Sequence, residues 1–581
     1  MPVLKNILIT TNQIYCFRNV KDWSTVVHTT KFRFKLPVIF YPLQNFFMEA
    51  NCTNVSYGQT GFFSKLVIDY LNEDSKLKPF YKYPVNIDGI KQSVEARKMF
   101  PQQREILVQE LIKQYEGLPQ TTKLSQNMHA LVLQNTFTVT TAHQPNIFTG
   151  PLYFIYKILH TIKLTQTLQL QLPENNFIPV YYMGSEDADL DELGSISIDA
   201  VTYTWQTKQT GAVGRMKVDK AFINLMGNMQ GQLGVLPFGN DIINLFREVY
   251  TVGKSIQQAT LEMMNHLFGE YGLVVVMPDN AELKKLFHSV VEKELKEGFS
   301  HKAIKPTIEV LNQLYKVQAG GRELNLFYLI DDKRERIEML DSHFIISSLG
   351  LRFTREEILQ ELSNCPERFS ANVILRGVFQ ETILPNIAFI GGGGELAYWL
   401  ELKNVFEAVN VPYPVLVLRN SFLIAEEKWK RKTEAIDLHL SDIFLTEHDL
   451  MNKVVAKQSA NQFSLNGELK KIEMLYNEMS MLANHVDSTL TNHVLALKVK
   501  AVKRLQELEK KMLRAEKRKF ETELLQIRKI KAALFPQNSL QERVENLSAF
   551  YGKYGKELFD VLLLHSLSLE QQFCILSFNE N

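Results

Sequence analysis

Five short apolar segments between residues 137 and 420 most strongly constrain how this chain can fold. Each is rich in β-forming residues and ends in a polar or glycine-containing loop: residues 137–146, 177–187, 273–279, 386–395 and 414–420. Near-continuous apolar strands of this kind are typical of parallel sheets that helices cover on both faces. Stretches with helical character follow several of these segments. The pattern therefore predicts an α/β fold whose core is a Rossmann-like parallel sheet.

The intervals between these segments indicate how the rest of the chain is organised. Residues 188–272 and 280–385 are too long for simple crossovers, so we expect inserted connecting segments there, the second containing a β-hairpin. Residues 1–47 differ in character from the remainder of the chain, and we expect translation to start near Met48, which would make them a non-native N-terminal extension. Residues 48–420 then form the Rossmann-like core, and residues 421–581 form a helical domain.

The helical domain contains a heptad pattern. Apolar residues recur at alternating four- and three-residue spacings from Leu465 to Ala515, which is typical of a coiled coil, and Pro536 ends the helical pattern. Residues 498–531 contain thirteen Lys and Arg against five Glu, which indicates a solvated coiled-coil face or a surface for a partner or nucleic acid. The apolar stretch 558–578 is expected to fold back onto the core.

Charge and cysteine content exclude several classes of protein. The formal net charge of +1 gives no general attraction to nucleic acid or acidic membranes, and no apolar run reaches the length of about 20 residues that spans a bilayer. The four cysteines lie far apart without a CxxC pair, which argues against a disulfide framework or a structural zinc site and favours a cytoplasmic location. The motifs GxxxxGK[ST], GxSxG and HExxH are absent, which argues against P-loop, α/β-hydrolase and zincin chemistry.

The first of three polar motifs follows the first predicted strand. It supplies six candidate site residues: His143, Asn146, Thr149, Gly150, Tyr153 and Lys157. A helix is expected to begin near the threonine, as its N-cap, and free N–H groups at that helix start would bind phosphate or carboxylate. The histidine–asparagine spacing resembles the HxGH signature of class I synthetases and nucleotidylyltransferases, with the asparagine in place of the second histidine. A structural histidine in a turn remains the alternative.

The second motif is acidic and follows the second predicted strand. It contains Glu186, Asp187, Asp189, Asp191 and Glu192. So many carboxylates are costly to hold together unless they are solvated or paired with cations. Either they charge a helix N-terminus, or the first two bind a substrate amine, a sugar hydroxyl or Mg²⁺.

The third motif surrounds the fourth predicted strand. Its candidate residues are Arg376, Gln380, Glu381, Gly391, Gly392, Gly393, Gly394, Glu395, Tyr398 and Trp399. The four glycines allow positive φ and close backbone approach, and an anion or nucleotide could lie at the start of the helix that follows them. The arginine, glutamine and glutamate are either ligand contacts or satisfied core groups, and an Arg376–Glu381 pair is one such structural alternative.

These motifs together resemble the bacillithiol-biosynthesis cysteine-adding enzymes, the BshC family. The resemblance rests on residues 143–157, 184–193, 372–403 and 412–422, in that order, and the layout matches from about residue 50 to the end. The family usually has Gln at position 143, Pro at Gly377 and a proline near Gly393. The departure at 143 puts in doubt any role that depends on a histidine there.

The resemblance implies a Rossmann-like core with insertions and a coiled-coil domain that forms a homodimer. The implied reaction joins the cysteine carboxyl to the amine of glucosaminyl malate, which requires carboxyl activation. ATP with Mg²⁺ is the candidate cosubstrate, and no tightly bound metal, membrane partner or nucleic-acid partner is expected. The alternative is a non-catalytic, class I-like nucleotide-binding core whose coiled coil recruits RNA or a protein.

Because parallel strands place their carboxyl ends at one edge of the sheet, the three motifs should share one crevice. The expected catalytic residues are His143, Asn146 and Asp187. The expected nucleotide- or anion-binding residues are Thr149, Gly150, Lys157, Gly391, Gly392, Gly393, Gly394 and Glu395. The expected substrate-binding residues are Tyr153, Glu186, Asp189, Arg376, Gln380, Glu381, Tyr398 and Trp399, and no metal ligands are predicted.

Overall fold

A computed structural model of the chain describes residues 6–10, 13–17, 50–317, 319–459 and 464–578. The chain divides into two compact units, residues 1–47 and residues 48–581. In the first unit the described residues form an antiparallel hairpin of β1 (Asn6–Thr10) and β2 (Gln13–Phe17). Most of residues 1–47 lie outside the described residues, and their assignment as a non-native extension stays a prediction.

The second unit leads through five helices into the first two strands of a central sheet. Its first elements are β3 (Ala50–Val55), α1 (Tyr57–Thr60), α2 (Lys65–Leu71), α3 (Ile87–Lys98), α4 (Arg104–Gln114), α5 (Thr122–Ala130), β4 (Thr136–His143), α6 (Tyr153–Gln171) and β5 (Asn176–Met183). Both β4 and β5 are buried along nearly their whole length, as their apolar sequences predict.

A mainly helical segment separates β5 from the next strand of the sheet. It comprises α7 (Leu190–Leu193), β6 (Ser195–Ile198), β7 (Val201–Thr204), α8 (Lys220–Leu233), α9 (Gly239–Val249) and α10 (Ile256–Phe268), and it ends in β8 (Val274–Val276). The two short strands form an antiparallel hairpin of their own.

A longer mixed segment precedes the last two strands of the sheet. It comprises α11 (Ala281–Lys285), α12 (His288–Glu297), α13 (Phe299–Leu311), β9 (Leu326–Ile330), β10 (Lys333–Arg336), β11 (Glu338–Leu340), β12 (His343–Ile346), β13 (Leu351–Phe353), α14 (Arg355–Asn364), β14 (Phe369–Ala371) and α15 (Val373–Ile383). Then follow β15 (Asn386–Gly391), α16 (Gly393–Ala408) and β16 (Val415–Leu418). The predicted hairpin is confirmed, because β9 and β10 pair antiparallel.

The five predicted strands form one sheet in the order β16-β15-β4-β5-β8, and all four pairings are parallel. Numbered along the chain, this is the 3-2-1-4-5 order of a doubly wound Rossmann sheet. The order reverses between β4 and β15, so a ligand crevice is expected beyond the carboxyl ends of these two strands. The Rossmann-like fold predicted from the sequence is confirmed.

The remaining elements are mostly helical. They are β17 (Ser421–Ala425), α17 (Glu427–Glu434), α18 (Glu447–Gln458), α19 (Asn466–Val486), α20 (Leu490–Lys517), α21 (Glu521–Leu534), α22 (Gln541–Val544), α23 (Leu547–Tyr554), α24 (Glu557–His565) and β18 (Phe573–Phe578). The heptad pattern does not form one continuous helix, because α19 ends at Val486 and α20 packs back against it. None of the helices in the described part of the chain is long and apolar enough to cross a membrane.

The two ends of the second unit meet in a small sheet. Strand β18 pairs parallel with β17 and antiparallel with β3. Cys52 and Cys574 lie diagonally across the β3–β18 pair and form a disulfide, with Cα atoms 6.0 Å apart. The sequence-based argument against disulfides is therefore wrong for this pair. Spacing could not show it, because the two residues are 522 positions apart and meet only through the sheet.

His160 on α6 joins three parts of the second unit. Its Nε2 donates to the Ser568 carbonyl at 2.7 Å, and its Nδ1 accepts from the Asn420 N–H at 3.1 Å. These bonds require the neutral ring, because a proton on Nδ1 would face the Asn420 N–H. Burial accordingly lowers the pKa of His160 to about 4.

This histidine makes stability depend on pH. Its pKa is lower in the folded protein than in the unfolded chain, so its contribution is fully present above about pH 6.5 and falls as the pH drops toward 4. We expect the free energy of unfolding to fall by roughly 3 kcal/mol at most. Urea denaturation at pH 7.5, 5.5 and 4.5 measures this change. The His160→Gln variant should show a weaker pH dependence over this range. If the wild type and His160→Gln lose the same unfolding free energy as the pH falls, His160 is not the group responsible.

Candidate active site

A cavity of about 360 Å³ lies beyond the carboxyl ends of β4 and β15, where the strand order reverses. We call it the α16 cavity, because the start of α16 forms part of its wall. It brings together ten of the predicted site residues: His143, Tyr153, Lys157, Asp187, Arg376, Gly392, Gly393, Gly394, Glu395 and Tyr398. All three polar motifs therefore contribute to one crevice.

The glycine loop leaves the start of α16 open to this cavity. Gly392 is the N-cap, and its N–H donates to the Glu395 carboxylate at 2.8 Å. A Cβ at Gly391 would lie 2.8 Å from the Phe389 ring, whereas one at Gly394 would meet nothing within 4 Å. None of the four glycines has a positive φ, so that expectation is wrong. The loop needs glycine for close approach, and it leaves the first N–H groups of α16 near the cavity.

Lys157 and Glu395 form an ion pair in the wall of the cavity. The lysine projects from α6 and the glutamate from α16, and the lysine also donates to the Ala142 carbonyl at 2.9 Å. Burial lowers the pKa of Lys157, and the adjacent carboxylate opposes this shift. Lys157 therefore fixes α6, β4 and α16 relative to one another at the site.

Arg419, which sequence reasoning missed, lies just beyond the end of β16 and lines the cavity. It is buried, pairs with Glu542 at 2.7 Å and donates to Ser421. Its Nε is buried without a hydrogen-bond partner in the described part of the chain. A Cβ at Gly392 would lie 3.5 Å from this nitrogen, so the unused donor lies beside the start of α16. The strand-end rule could have identified this residue, because it lies at the end of the fifth apolar segment.

Arg543 on α22 is a second cation that sequence reasoning missed. It lines the same cavity, and within residues 50–317, 319–459 and 464–578 it has no ion pair or side-chain hydrogen bond. Burial and the nearby charge of Arg419 lower the pKa of Arg543. The local sequence gave no signal for it, because it reaches the site only through the folding of the C-terminal segment onto the core.

His143 lies at the end of β4 with an unused ring nitrogen. It packs against the rings of Tyr153 and Phe154, with centroid distances of 5.3 and 4.8 Å. Its Nε2 is buried and has no hydrogen-bond partner among the described residues. Burial, together with the charges of Lys157 and Arg419, lowers the pKa of His143 well below its ordinary value. The ring is therefore neutral near pH 7 and can accept a hydrogen bond from a ligand.

The start of α6 differs from the prediction. The helix begins at Tyr153 rather than near Thr149, which adopts a positive φ and is no N-cap. The C-terminal segment covers this helix start: the Leu152 N–H donates to the Glu545 carbonyl at 2.8 Å, and Asn546 donates to the Gly150 carbonyl at 2.6 Å. This start is therefore closed to anions. Three predicted site residues lie in the buried turn and do not line the cavity: Asn146, Thr149 and Gly150.

The first two carboxylates of the acidic motif pair with cations of the protein. Glu186 pairs with Lys284, and Asp187 accepts two hydrogen bonds from Arg376. Burial alone would raise the pKa of Asp187, but Arg376 and nearby Arg334 lower it below its ordinary value. Glu186 and the exposed Asp189 do not line the cavity, whereas Glu192 does. The two carboxylates nearest the strand end are therefore paired structural groups, and Glu192 is the other carboxylate of the motif that lines the cavity.

Three further predicted residues lie in the core. Glu381 pairs with Arg97 rather than with Arg376, and Gln380 donates to the same carboxylate at 2.9 Å. Trp399 is 1% exposed and stacks on Phe389 with ring centroids 4.4 Å apart. They lie on the faces of α15 and α16 that pack against the protein, so the structure does not bring them to the cavity.

The chain matches one protein family along almost all of the second unit. Residues 48–420 match the family described as "Bacillithiol biosynthesis BshC, N-terminal Rossmann-like domain", and residues 422–578 match "Bacillithiol biosynthesis BshC, C-terminal coiled-coil domain".

Individual relatives agree with this match. A protein of Flavobacterium johnsoniae named "Putative cysteine ligase BshC" is 39% identical, covering 91% of this chain and 100% of its own length. Proteins of the same name from Christiangramia forsetii and Flavobacterium psychrophilum are 39% and 36% identical, covering 91% and 90% of this chain and 99% and 98% of their own lengths. With a family match that spans both the Rossmann-like and the coiled-coil regions, this chain belongs to the bacillithiol biosynthesis BshC family.

Proposed function

We propose that this protein is a cytoplasmic ligase that joins the carboxyl group of cysteine to the amine of glucosaminyl malate, forming an amide bond. One observation carries the proposal. Within a chain of this family, the α16 cavity combines an open helix start, the unused Nε of Arg419 and the unpaired Arg543. Such a set of donors suits a substrate that carries carboxylates.

The malate arm of the acceptor would occupy this cationic end of the cavity. One carboxylate would accept from Arg419, and Arg543 would pair with the second. Because Glu542 and Ser421 hold Arg419 in place before the ligand arrives, this arginine needs little reorganisation on binding. Asp187 is already paired with Arg376, so it orients that arginine rather than binding a cation.

The amine would lie toward His143. In the ligation step the amine nitrogen bonds to the cysteine carbonyl carbon, the activating group leaves with the carboxyl oxygen, and the nitrogen loses a proton. The neutral ring can accept a hydrogen bond from the amine, which orients the nitrogen lone pair toward the carbonyl carbon. Negative charge that develops on the carbonyl oxygen would be stabilised by N–H donors of the α16 start. ATP with Mg²⁺ is the proposed activating cosubstrate.

Thiol analysis of a strain that lacks this gene tests the proposal. We expect loss of bacillithiol and accumulation of glucosaminyl malate, both reversed when the wild-type gene is restored. An unchanged bacillithiol pool would contradict the proposal and favour the alternative, a nucleotide-binding protein that recruits a partner through its coiled coil.

The role of His143 can be tested with two substitutions. If the ring only accepts a hydrogen bond, the His143→Gln variant should retain kcat/KM within about tenfold, whereas His143→Leu should lose ten- to a hundredfold, or about 1.5–3 kcal/mol. Steady-state kinetics with glucosaminyl malate as the varied substrate measure both. A loss of more than about a thousandfold in the glutamine variant would instead indicate general base catalysis.

We propose that the helical hairpin of α19 and α20 forms the interface of a homodimer. Large apolar residues on it remain exposed, among them Leu482 at 67%, Val486 at 81% and Val499 at 67%. An apolar surface of this kind is typical of an interface between chains. We expect the double variant Leu505→Asp, Leu508→Asp to sediment as a monomer, because it places charge at two apolar positions of the heptad pattern. An unchanged dimer would place the interface elsewhere.

A further inference from the structure

Glu192 is a carboxylate of the α16 cavity that the protein itself does not pair. Among the described residues, three carboxylates line this cavity: Asp187, Glu192 and Glu395. Asp187 pairs with Arg376, and Glu395 pairs with Lys157. Glu192 has neither an ion pair nor a side-chain hydrogen bond within the part of the chain that the structure describes. A cationic group of a ligand can therefore pair with it.

The backbone that carries Glu192 is held in place by the first inserted segment. The next residue, Leu193, is fully buried, and the Gly194 N–H donates to the Leu190 carbonyl at 2.7 Å. The Gly194 carbonyl accepts from the Trp205 N–H at 2.8 Å, which ties the end of α7 to the segment after β7. Glu192 itself is exposed, so its carboxylate lies at the mouth of the cavity.

The charges around Glu192 favour a positive ligand group. Burial and the negative charges of Asp189 and Asp187 raise the pKa of Glu192. Burial, followed by the charge of Glu192, in turn raises the pKa of Tyr153 to about 12. Tyr153 packs against His143, with ring centroids 5.3 Å apart. A cation beside Glu192 would offset the repulsion between the carboxylates, and it would lie near the aromatic ring that contacts the histidine.

The proposed reaction brings two amines to this cavity, and they need opposite protonation states. The amine of the glucosaminyl group must be uncharged, because its nitrogen lone pair attacks the activated carboxyl group. The α-amine of cysteine must not react, because it would otherwise be acylated in place of the acceptor. A carboxylate beside an amine favours the charged ammonium, which has no lone pair. Glu192 can supply that carboxylate, whereas the neutral ring of His143 suits the uncharged amine.

We propose that Glu192 binds the α-ammonium group of the amino-acid substrate and keeps it charged while the carboxyl group reacts. This inference rests on the proposed function. The ammonium would donate to the Glu192 carboxylate at the mouth of the cavity, and the carboxyl group would point inward, toward the start of α16. The substrate class that fits is an α-amino acid, and a carboxylic acid without the amine would bind less tightly.

A comparison of cysteine with 3-mercaptopropanoate, which is cysteine without its α-amino group, tests this assignment. The full-length protein is assayed with ATP, Mg²⁺ and excess glucosaminyl malate, and 3-mercaptopropanoate is added as a competitor of cysteine. We expect Glu192→Gln to raise the KM of cysteine about tenfold, the effect of losing one charge-assisted contact. The inhibition constant of 3-mercaptopropanoate should stay within about twofold of the wild-type value, because this acid has no ammonium group to lose a contact.

Two further variants separate this contact from a general effect of charge. Asp191→Asn removes the same charge from the preceding residue of α7, which is exposed and does not line the cavity, so both constants should stay unchanged. Glu192→Asp keeps the charge on a shorter side chain and should recover part of the affinity for cysteine.

Three outcomes would overturn the assignment. They are an equal change in both constants in Glu192→Gln, no change in either, or a rise in the KM of glucosaminyl malate while that of cysteine stays the same. If the wild type forms no amide, that result counts against the proposed function instead. Calorimetric titration of the wild type and Glu192→Gln with cysteine and with 3-mercaptopropanoate then decides the role of Glu192 by the same comparison.

Discussion

The Glu381→Gln variant should lose about 3–5 kcal/mol of the free energy of unfolding, because it leaves the guanidinium of Arg97 buried without a counter-charge. The side chains of this pair are 1% and 0% exposed. Arg97 also donates to the Asn386 carbonyl at 2.8 Å and to the Pro412 carbonyl at 3.1 Å, so it ties α3 to the start of β15 and to the segment just before β16. Urea denaturation at pH 7.5 measures the change.

Two controls separate the loss of the buried pair from a general effect of substitution. Glu95→Gln removes the partner of Lys98 in a pair that is exposed, and we expect it to change the unfolding free energy little. The double variant Arg97→Met, Glu381→Leu should recover part of the loss, since it removes both buried charges. A loss below about 1 kcal/mol in Glu381→Gln would contradict the buried network.

The Gly394→Leu variant should lower kcat/KM about a hundredfold or more while the protein stays as stable as the wild type. A side chain at this position would enter the α16 cavity, where an added Cβ meets nothing within 4 Å. It would block the approach of ligand to the N–H groups of α16, and removing one such donor typically costs a hundred- to a thousandfold in rate. Stability should not fall, because the backbone there is helical and leucine favours helices over glycine by about 0.5–1 kcal/mol.

The matched control is Gly231→Leu. This glycine also lies within a helix with open space around its Cβ position, but it is on α8 and does not line the α16 cavity. Steady-state kinetics and urea denaturation of both variants give the comparison. Equal kinetics for Gly394→Leu and Gly231→Leu would show that the start of α16 does not contact the substrates.

The sheet and one helix start could be predicted from the sequence, because they depend on local patterns. Each sheet strand is an apolar run buried on both faces, and the glycine loop indicated where α16 begins. With all strands parallel, the shared edge of the three motifs followed from topology alone. His143, Asp187 and Glu395 were correctly placed at one cavity in this way.

The errors concern contacts between residues that are distant in sequence. The start of α6 looked open, but Asn546 and the Glu545 carbonyl, almost 400 residues later, close it. The acidic motif was expected to be solvated, to be paired with cations or to bind a ligand, and the sequence could not show that Lys284 and Arg376, from the second inserted segment, pair with Glu186 and Asp187. Arg543 could not be found for the same reason. Charge pairing across a fold depends on which helices meet, and a local motif does not contain that information.

We propose that this chain forms an amide between cysteine and glucosaminyl malate in the crevice between β4 and β15. The most direct test of this activity is mass spectrometry of purified protein incubated with cysteine, glucosaminyl malate, ATP and Mg²⁺. We expect the mass of bacillithiol to appear with the wild type and with Gly231→Leu, and to be nearly absent with Gly394→Leu. Folded wild-type protein that binds both substrates and yields no bacillithiol would contradict the account.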